Sequence, residues 1–353
     1  IFLDPPKGDA RQMVSELSNL GIEMKIITGD NRLIARYTAE SVGFPFKGLI
    51  TGVDLDKMSD EATLHAVERA NIFAEIDPNQ KEKIILSLKK LGHVVGFMGD
   101  GVNDATAIHA SDVGISVNTA VDVAKEAADI ILLEKELETL KDGVIEGRKT
   151  FANTLKYVFM ATSANFGNMF SVAGTSLFLP FLPMLPKQIL LTNLLTDFPE
   201  MTIATDEVDR ELVEKPRRWD VKFIKRFMIF FGLISSVFDY LTFAVLLFFL
   251  RADPVLFRTG WFVESVISAS FVVLVVRTRK PFYKSRPSKY LLVTTLLIAI
   301  LTLIIPYLPV SGILEFRPVP IGFLLAMSII LISYIMLAEV GKKIFYKKYA
   351  GEE

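Results

Sequence analysis

Two carboxylates stand four residues apart in the stretch Gly99-Asp100-Gly101-Val102-Asn103-Asp104. Carboxylate oxygens are hard ligands suited to Mg²⁺, and the glycines flanking Asp100 allow a tight turn and close backbone approach. An ordinary Asp-Gly turn would account for the stretch taken alone, but two further signals stand upstream. Thr28-Gly29-Asp30 offers a hydroxyl and backbone N–H groups that could hold a phosphate, with a local Thr turn as the bland alternative. Lys81 lies in the first turn of a helix that starts near Pro78, where a cation opposes the helix dipole and is well placed to meet an anion. A solvated surface lysine is the plainer reading of that residue by itself. Together these groups form a phosphate-and-magnesium constellation for phosphoryl transfer, in which catalysis is mostly positioning and charge stabilisation. No nucleophile candidate of the Asp-Lys-Thr-Gly-Thr type occurs in the chain.

The elements that must position these residues alternate between strand and helix. Strands are expected at Ile1–Leu3, Met24–Ile27, Ile72–Ala74, His93–Met98, Val113–Val117 and Ile130–Leu133. Helices are expected at Ala10–Leu20, Arg32–Val42, Asp60–Ala70, Pro78–Lys90, from Ala105, and at Val121–Ala128, with Leu49–Leu55 as a loop. Such alternation gives a parallel α/β sheet. Thr28 and Asp100 then fall at carboxyl ends of strands, where open α/β sheets place their ligands. The first 136 residues read as one soluble domain that the chain enters midway, since it begins Ile1-Phe2-Leu3-Asp4 without a signal-peptide pattern.

From Leu137 a helical pattern runs into Phe151 without a breaker, so residues 137–154 read as a stalk leading into a membrane. Six apolar stretches then follow: 155–179, 189–205, 227–250, 261–276, 290–307 and 321–340. Lys215, Arg217, Arg218, Lys222, Lys225 and Arg226 crowd one loop, and Arg277, Arg279, Lys280, Lys284, Arg286 and Lys289 another. Lys342, Lys343, Lys347 and Lys348 crowd the C-terminus, whereas the opposite loops hold only Lys187, Arg251, Arg258 and Arg317. By the positive-inside rule the soluble domain and the C-terminus are cytoplasmic, in a cell-membrane protein. The basic clusters could instead bind anionic lipid, although topology suffices to explain them. The net charge of −1 argues against a nucleic-acid partner, and the absence of cysteine excludes disulfides and thiolate metal sites.

Polar groups at membrane depth are costly, ~2.5–3.5 kcal/mol for an aspartate at a helix centre on insertion scales, and so mark a path or a site. The first stretch carries Asn165 and Asn168, expected on one helix face; the second carries Asn193, Thr196, Asp197, Pro199 and Glu200. Pro199 removes a backbone hydrogen bond and frees a carbonyl nearby. Amide, hydroxyl, carboxylate and carbonyl oxygens between two helices make a hard-cation site, with interhelical hydrogen bonding as the alternative for the asparagines. Asp239 and Glu264 either join that site or lie at an interface, and Glu339 is expected to be solvated. Trp219 and Trp261, at span ends, read as interfacial anchors. His65, His93 and His109 show no ligand spacing.

This arrangement resembles the P-type ATPases, cation pumps whose phosphorylation domain belongs to the haloacid dehalogenase-like superfamily. The resemblance covers the whole chain: Thr28-Gly29-Asp30, the Asp77–Lys81 segment, Gly99–Ala105 and six C-terminal spans, with Thr106 where the family usually has proline. It implies a Rossmannoid α/β fold followed by an all-α, six-helix membrane domain, and ATP as substrate. It also implies that Asp100 would ligand a catalytic Mg²⁺, that Asp104 and Asn103 would support it, and that Thr28 and Lys81, with Gly29 and Asp30, would contact the phosphoryl group. The phosphorylated Asp, the nucleotide-binding domain and four earlier spans would precede Ile1. The membrane half is most similar to the magnesium-transporting type, through Asn165-Phe166-Gly167-Asn168, Phe181–Leu185, Lys215–Asp220 and Gly260–Glu264. Asn193-Leu194-Leu195-Thr196-Asp197 is instead similar to calcium pumps, so Mg²⁺ import and Ca²⁺ export both stand, with a proton as a third cargo. A membrane protein that binds phosphate or a partner without pumping is the reading from another class.

Overall fold

A computed structural model describes residues 10–134 and 137–349. They form two compact units, one up to Glu146 and one from Gly147.

In the first unit the described order is α1 (Ala10–Asn19), β1 (Ile26–Ile27), α2 (Arg32–Ser41), β2 (Leu49–Thr51), α3 (Gly52–Asp56), α4 (Asp60–Arg69) and β3 (Ile72–Ala74). Then come α5 (Pro78–Lys90), β4 (Gly96–Met98), a 3₁₀ turn at Val102–Asp104, α6 (Ala105–Ala110), β5 (Val113–Val117), α7 (Asp122–Ala127) and β6 (Ile130–Leu132). Every strand pairing is parallel, as the alternation predicts. The expected single sheet is instead two three-stranded ladders, β1-β3-β2 and β4-β5-β6. One apolar core nevertheless joins them, since Phe73, Ile84, Phe97, Ile108 and Val117 pack in the same cluster. The expected loop at Leu49–Leu55 is β2 followed by α3, because Thr51 and Asp54 cap each other at the helix start. The expected strand at Ile1–Leu3 lies outside the described residues.

Local chemistry sets the helix that carries Lys81. Asp77 accepts from the Gln80 backbone N–H while Gln80 reaches back to Asp77, and Pro78 supplies a preset first turn. Ile84, Ile85 and Leu88 face the core and hold α5 against it.

The second unit is helical. Helix α8 (Leu137–Thr175) is unbroken over 39 residues. It is followed by α9 (Pro186–Met201), α10 (Val221–Ala244, extended by a π turn at Val245–Phe249), α11 (Pro254–Val276), α12 (Lys289–Ile304), the short α13 (Ser311–Leu314) and α14 (Ile321–Tyr349). The six expected spans therefore all fall on helices. Four of these, Val221–Phe249, Pro254–Val276, Lys289–Tyr307 and Ile321–Tyr349, are long and apolar enough by themselves to cross a membrane. The other two depart for identifiable reasons: α9 has only 16 residues, about 24 Å against a hydrocarbon core of ~30 Å, and both α8 and α9 carry amides. The bundle core is aromatic, with Phe243, Phe257, Trp261, Phe262 and Phe323 fully buried. Helices α8 and α10 touch backbone to backbone: a Cβ on Gly167 would lie 3.0 Å from Gly232 O, and one on Gly232 would lie 3.0 Å from Ser163 O. Ser236 adds a hydroxyl bond to Gly167 O at 3.0 Å.

Candidate functional site

The loop after β1 turns on Thr28. Its hydroxyl donates to Asp30 Oδ2 at 3.0 Å and accepts from the Asp30 N–H at 3.1 Å. Thr28 N is the last ladder donor, to Phe73 O at 2.9 Å, and Thr28 O receives the Ile76 N–H at 3.1 Å. The Thr28–Asp30 loop is thereby tied to the segment just before Asp77, where α5 begins. Gly29 and Asp30 are exposed, so the loop presents its N–H groups and carboxylate to solvent.

Lys81 is not a solvated surface lysine. It is 9% exposed, and its Nζ lies 2.6 Å from Asp104 Oδ1. The other oxygen, Asp104 Oδ2, accepts the Gly101 N–H at 3.1 Å. Asp104 thus closes its own loop and anchors it to α5. Gly99 is required for this closure, because a Cβ there would lie 2.7 Å from Asp104 Cγ and 2.9 Å from Oδ2. Ser116, one strand over on β5, donates to Gly99 O at 2.9 Å and pins the strand end from the other side. Asp100 and Asn103 are exposed at the rim of this loop. The structure therefore links the three sequence signals through consecutive bonds: Thr28 to Ile76, Asp77 to the start of α5, and Lys81 to Asp104.

The donor set fits Mg²⁺ in one specific way. Among the described residues no group of three or more His, Asp or Glu side chains converges, and both oxygens of Asp104 already accept hydrogen bonds. Mg²⁺ commonly takes one or two carboxylates and completes its shell with waters and phosphate oxygens. An exposed Asp100 at the rim of the strand-end loop suits that mode.

In the helical unit the polar candidates separate. Asn168 accepts from the Ser265 hydroxyl at 3.3 Å, and with the buried Glu200 it lines a small cavity of about 30 Å³ among α8, α9, α10, α11 and α14. Ser163, Ser235, Ser268 and Tyr334 also face that cavity. Asn165 does not share it: three residues along an α-helix is a rotation of about 60° short of a full turn, and Asn165 is exposed. Asn193 and Asp197 are exposed on α9, one turn apart on a common face. Thr196 spends its hydroxyl on the carbonyls of Thr192 and Asn193, both at 3.1 Å.

Asp239 and Glu264 are more deeply built in than their sequence positions suggest, at 3% exposure each. Asp239 accepts from Ser171 at 2.6 Å and from Trp261 Nε1 at 2.9 Å, which joins α8, α10 and α11. Trp261 is accordingly a core residue, 1% exposed and edge-on to Phe243, rather than an interfacial anchor. Trp219 is exposed and packs edge-on against Phe151. Glu339 is ion-paired to Lys342 at 2.9 Å, with 13% of its side chain exposed, instead of solvated.

One feature carried no signal in the sequence. Asp206 is wholly buried and accepts from Lys156 at 2.8 Å, from Arg277 Nη1 at 2.9 and 3.0 Å, and from Ser288 N at 3.0 Å. It ties the middle of α8 to the segment after α9, the end of α11 and the start of α12. Lys342, fully buried, donates to Val275 O and Lys280 O at 2.9 and 2.7 Å. Two cations of the basic loops, Arg277 and Lys342, are therefore structural, and the three basic regions meet at one end of the bundle.

Comparison with known proteins agrees with this two-domain build. Residues 1–112 match the haloacid dehalogenase-like hydrolase family, and residues 181–344 match the family described as cation transporting ATPase, C-terminus. The chain is 45% identical over 356 aligned residues to the magnesium-transporting ATPase, P-type 1, of Salmonella typhimurium, covering 99% of this chain and 40% of that protein. It is 44% identical to the protein of the same name from Escherichia coli K12, with the same coverage. The calcium-transporting ATPase of Bacillus subtilis is 35% identical over 221 residues, 61% of this chain and 25% of its own length. The chain thus spans about two fifths of the length of the magnesium-transporting relatives it matches. It belongs to the P-type cation-transporting ATPases and matches their C-terminal portion.

Proposed function

We propose that this chain is the C-terminal portion of an ATP-driven cation pump that works through an aspartyl-phosphate, formed on an Asp outside the chain, and that moves Mg²⁺ into the cytoplasm. The observation that carries the reading is one chain holding both halves of such a machine. It has an anion-facing, strand-end site, with Lys81 locked to Asp104, and a helical bundle with amides and carboxylates inside. Similarity to relatives named magnesium-transporting over 99% of the chain supports the choice of ion.

In this reading Thr28 and the N–H groups of Gly29 and Asp30 bind the phosphoryl oxygens. Lys81 brings positive charge to the same place and, through Asp104, fixes the loop that presents Asp100 and Asn103. Asp100 would hold the catalytic Mg²⁺, which supplies charge neutralisation to the transferring phosphoryl group when bound. The cation path is formed by Asn165, Asn168, Asn193, Thr196 and Asp197, with Glu200, Asp239 and Glu264 as supporting groups. Asn193 and Asp197, polar and exposed at bilayer depth, require cover from other helices of the same pump, because such groups are costly against lipid. Residues 1–136 are the soluble domain and residues 137–154 the stalk, and all six helices cross the membrane. Both the soluble domain and the C-terminus are cytoplasmic. The gathering of the basic loops at one end of the bundle supports that orientation, because positive charge favours the cytoplasmic side.

The test is ion-stimulated phosphoenzyme turnover in the full-length protein containing this chain, reconstituted in proteoliposomes. Mg²⁺ uptake driven by ATP, with a weakened apparent affinity in Asp197→Asn, is expected. Stimulation by micromolar Ca²⁺, with no Mg²⁺ flux, would establish calcium export in its place, which the Asn193–Asp197 pattern and the Bacillus relative favour. Absence of any phosphoenzyme would overturn the pump reading.

A further inference from the structure

One residue of the first unit holds its backbone where a side chain is unwelcome. Among the described residues of that unit the positive-φ positions are Gly21, Gly43, Gly92 and Glu75, the last at +57°. Glycine takes such a conformation without strain, whereas a residue with a Cβ keeps it only when its surroundings hold it there. A glutamate at this point sets that strain against whatever its carboxylate gains. Glu75 stands between β3 and α5, two residues before Asp77, the cap of α5. It is exposed, so burial does not fix its conformation.

The hydrogen bonds show what the turned backbone achieves. Along a pleated strand successive residues face opposite ways, but the N–H groups of Glu75 and Ile76 both serve the loop after β1. Glu75 N donates to Asp30 O at 2.9 Å, and Ile76 N donates to Thr28 O at 3.1 Å. The Glu75 side chain meanwhile reaches the start of α2. Its Oε1 accepts from Asn31 Nδ2 and from Arg32 N, each at 3.2 Å, while Asn31 Oδ1 accepts the Leu33 N–H at 2.9 Å. A carboxylate at that end also suits the helix dipole. Gly52 leaves room for the Glu75 carbonyl: a Cβ there would collide with Glu75 O and lie 2.6 Å from Gln80 Oε1.

We propose that Glu75 is a positioning residue for phosphoryl transfer. Its left-handed backbone and its carboxylate together clamp Asp30, Asn31 and Arg32, and so hold the Thr28–Asp30 loop against the segment that starts α5, the helix of Lys81. The proposal rests on the reading of that loop as the phosphoryl-binding loop. Two other roles fit the geometry less well. As a metal ligand Glu75 would stand apart, since Oε1 already accepts two N–H groups and, among the described residues, no group of three or more His, Asp or Glu side chains converges. A plain helix cap would need only the bond from Arg32 N, and Asn31 already caps α2. The bond from Glu75 N to Asp30 O belongs to the loop itself.

The experiment compares Glu75→Ala, Glu75→Gln and Glu75→Gly in the full-length protein by single-turnover phosphoenzyme formation, steady-state ATP hydrolysis and thermal melting. Glu75→Ala should lower kcat by about 10–100-fold with KM for ATP unchanged, the pattern of a contact that matters only in the transferring step. Glu75→Gln, which keeps the acceptor, should restore most of the rate. Glu75→Gly relieves the backbone and should melt above Glu75→Ala, yet phosphorylate as slowly. A purely structural role predicts instead that rate follows melting temperature. The proposal is overturned by an unsubstituted rate in Glu75→Ala, by a Glu75→Gln as slow as Glu75→Ala, or by a Glu75→Gly whose rate recovers with its stability. Hydrogen exchange of the peptide carrying Thr28–Leu33 reads the clamp without turnover. Exchange at Arg32 N should quicken about tenfold in Glu75→Ala and not in Glu75→Gln, the loss of one charge-assisted bond; unchanged exchange in Glu75→Ala overturns the clamp. Absence of phosphoenzyme in the unsubstituted protein would end the pump reading and the catalytic role with it, whereas a normal unsubstituted protein and an indifferent Glu75→Ala would end this proposal alone. If Glu75→Ala does not fold, Asn31→Asp takes its place with the same expectations, since it keeps the acceptor for Leu33 N and removes the donor to Glu75.

Discussion

Gly99→Ala is the most informative single methyl in the soluble unit. The new Cβ would lie 2.7 Å from Asp104 Cγ and 2.9 Å from Oδ2, against an optimum of about 3.5–4.0 Å for carbon contacts. Asp104 cannot simply rotate away, since Lys81 holds Oδ1 at 2.6 Å and the Gly101 N–H holds Oδ2 at 3.1 Å. Relief requires a shift of about 1 Å in the loop or in Asp104, and overpacking of this kind costs about 1–3 kcal/mol. A misplacement of about 1 Å at a phosphoryl-transfer site is worth roughly 100-fold in rate. The assay is single-turnover phosphoenzyme formation in the full-length protein, with a thermal melt alongside. Gly92→Ala is the control: its φ of +87° makes alanine strained, but nothing lies within 4 Å of its Cβ, so stability should fall while phosphorylation is unaffected. A Gly99→Ala protein that phosphorylates at the unsubstituted rate would refute the claim that Asp104 must stay where Lys81 holds it.

Asp206→Ala strands Arg277 and Lys156, both buried, and should cost about 3–5 kcal/mol, a fall of roughly 6–20 °C in melting temperature for a domain of this size. Adding Lys156→Met and Arg277→Met to Asp206→Leu should recover much of that loss, which the same melt would read. Trp261→Phe keeps the ring packing but removes the donor to Asp239, and should cost about 1–3 kcal/mol. Denaturant unfolding in detergent checks it, with Asp239→Asn in the same background to show whether the penalty belongs to that carboxylate. Asp197→Asn should weaken apparent cation affinity by roughly 10–100-fold, the worth of one charged contact; equal affinity in a flux titration would remove Asp197 from the path.

The strand-end site was legible because short polar motifs stood at the ends of apolar runs, and parallel α/β folds put such ends together. Helix α5 was legible down to its first residue, since Asp77, Pro78 and Gln80 are local capping signals. The continuity of α8 followed from an unbroken pattern. Other features depend on what sequence order does not encode. Strand β2 has only three residues, too few for any period to show. Trp261 was placed by its position along a span, but burial is set by rotation about the helix axis, which depends on the neighbours. Asp206 pairs with residues 50 and 71 positions away, so nothing local marks it. Lys81 needed the structure for a related reason: whether a lysine is solvated or locked is decided by a partner on another loop.

The glycine crossing of α8 and α10 has a mechanical meaning. Most helix pairs mesh through side chains that must climb out of grooves before one rod can turn against the other. At Gly167 and Gly232 the backbones themselves meet, with the Phe166 ring against Gly232, the Ser235 side chain against Gly167 and the Ser236 hydroxyl on Gly167 O. Helix α8, about 58 Å long at 39 residues, is therefore held against α10 at a fixed spacing here, and the Ser171 hydroxyl on Asp239 pins it again one turn further on. The crossing is a clamp: turning one rod against the other would have to break the backbone contact and the Ser171–Asp239 bond together.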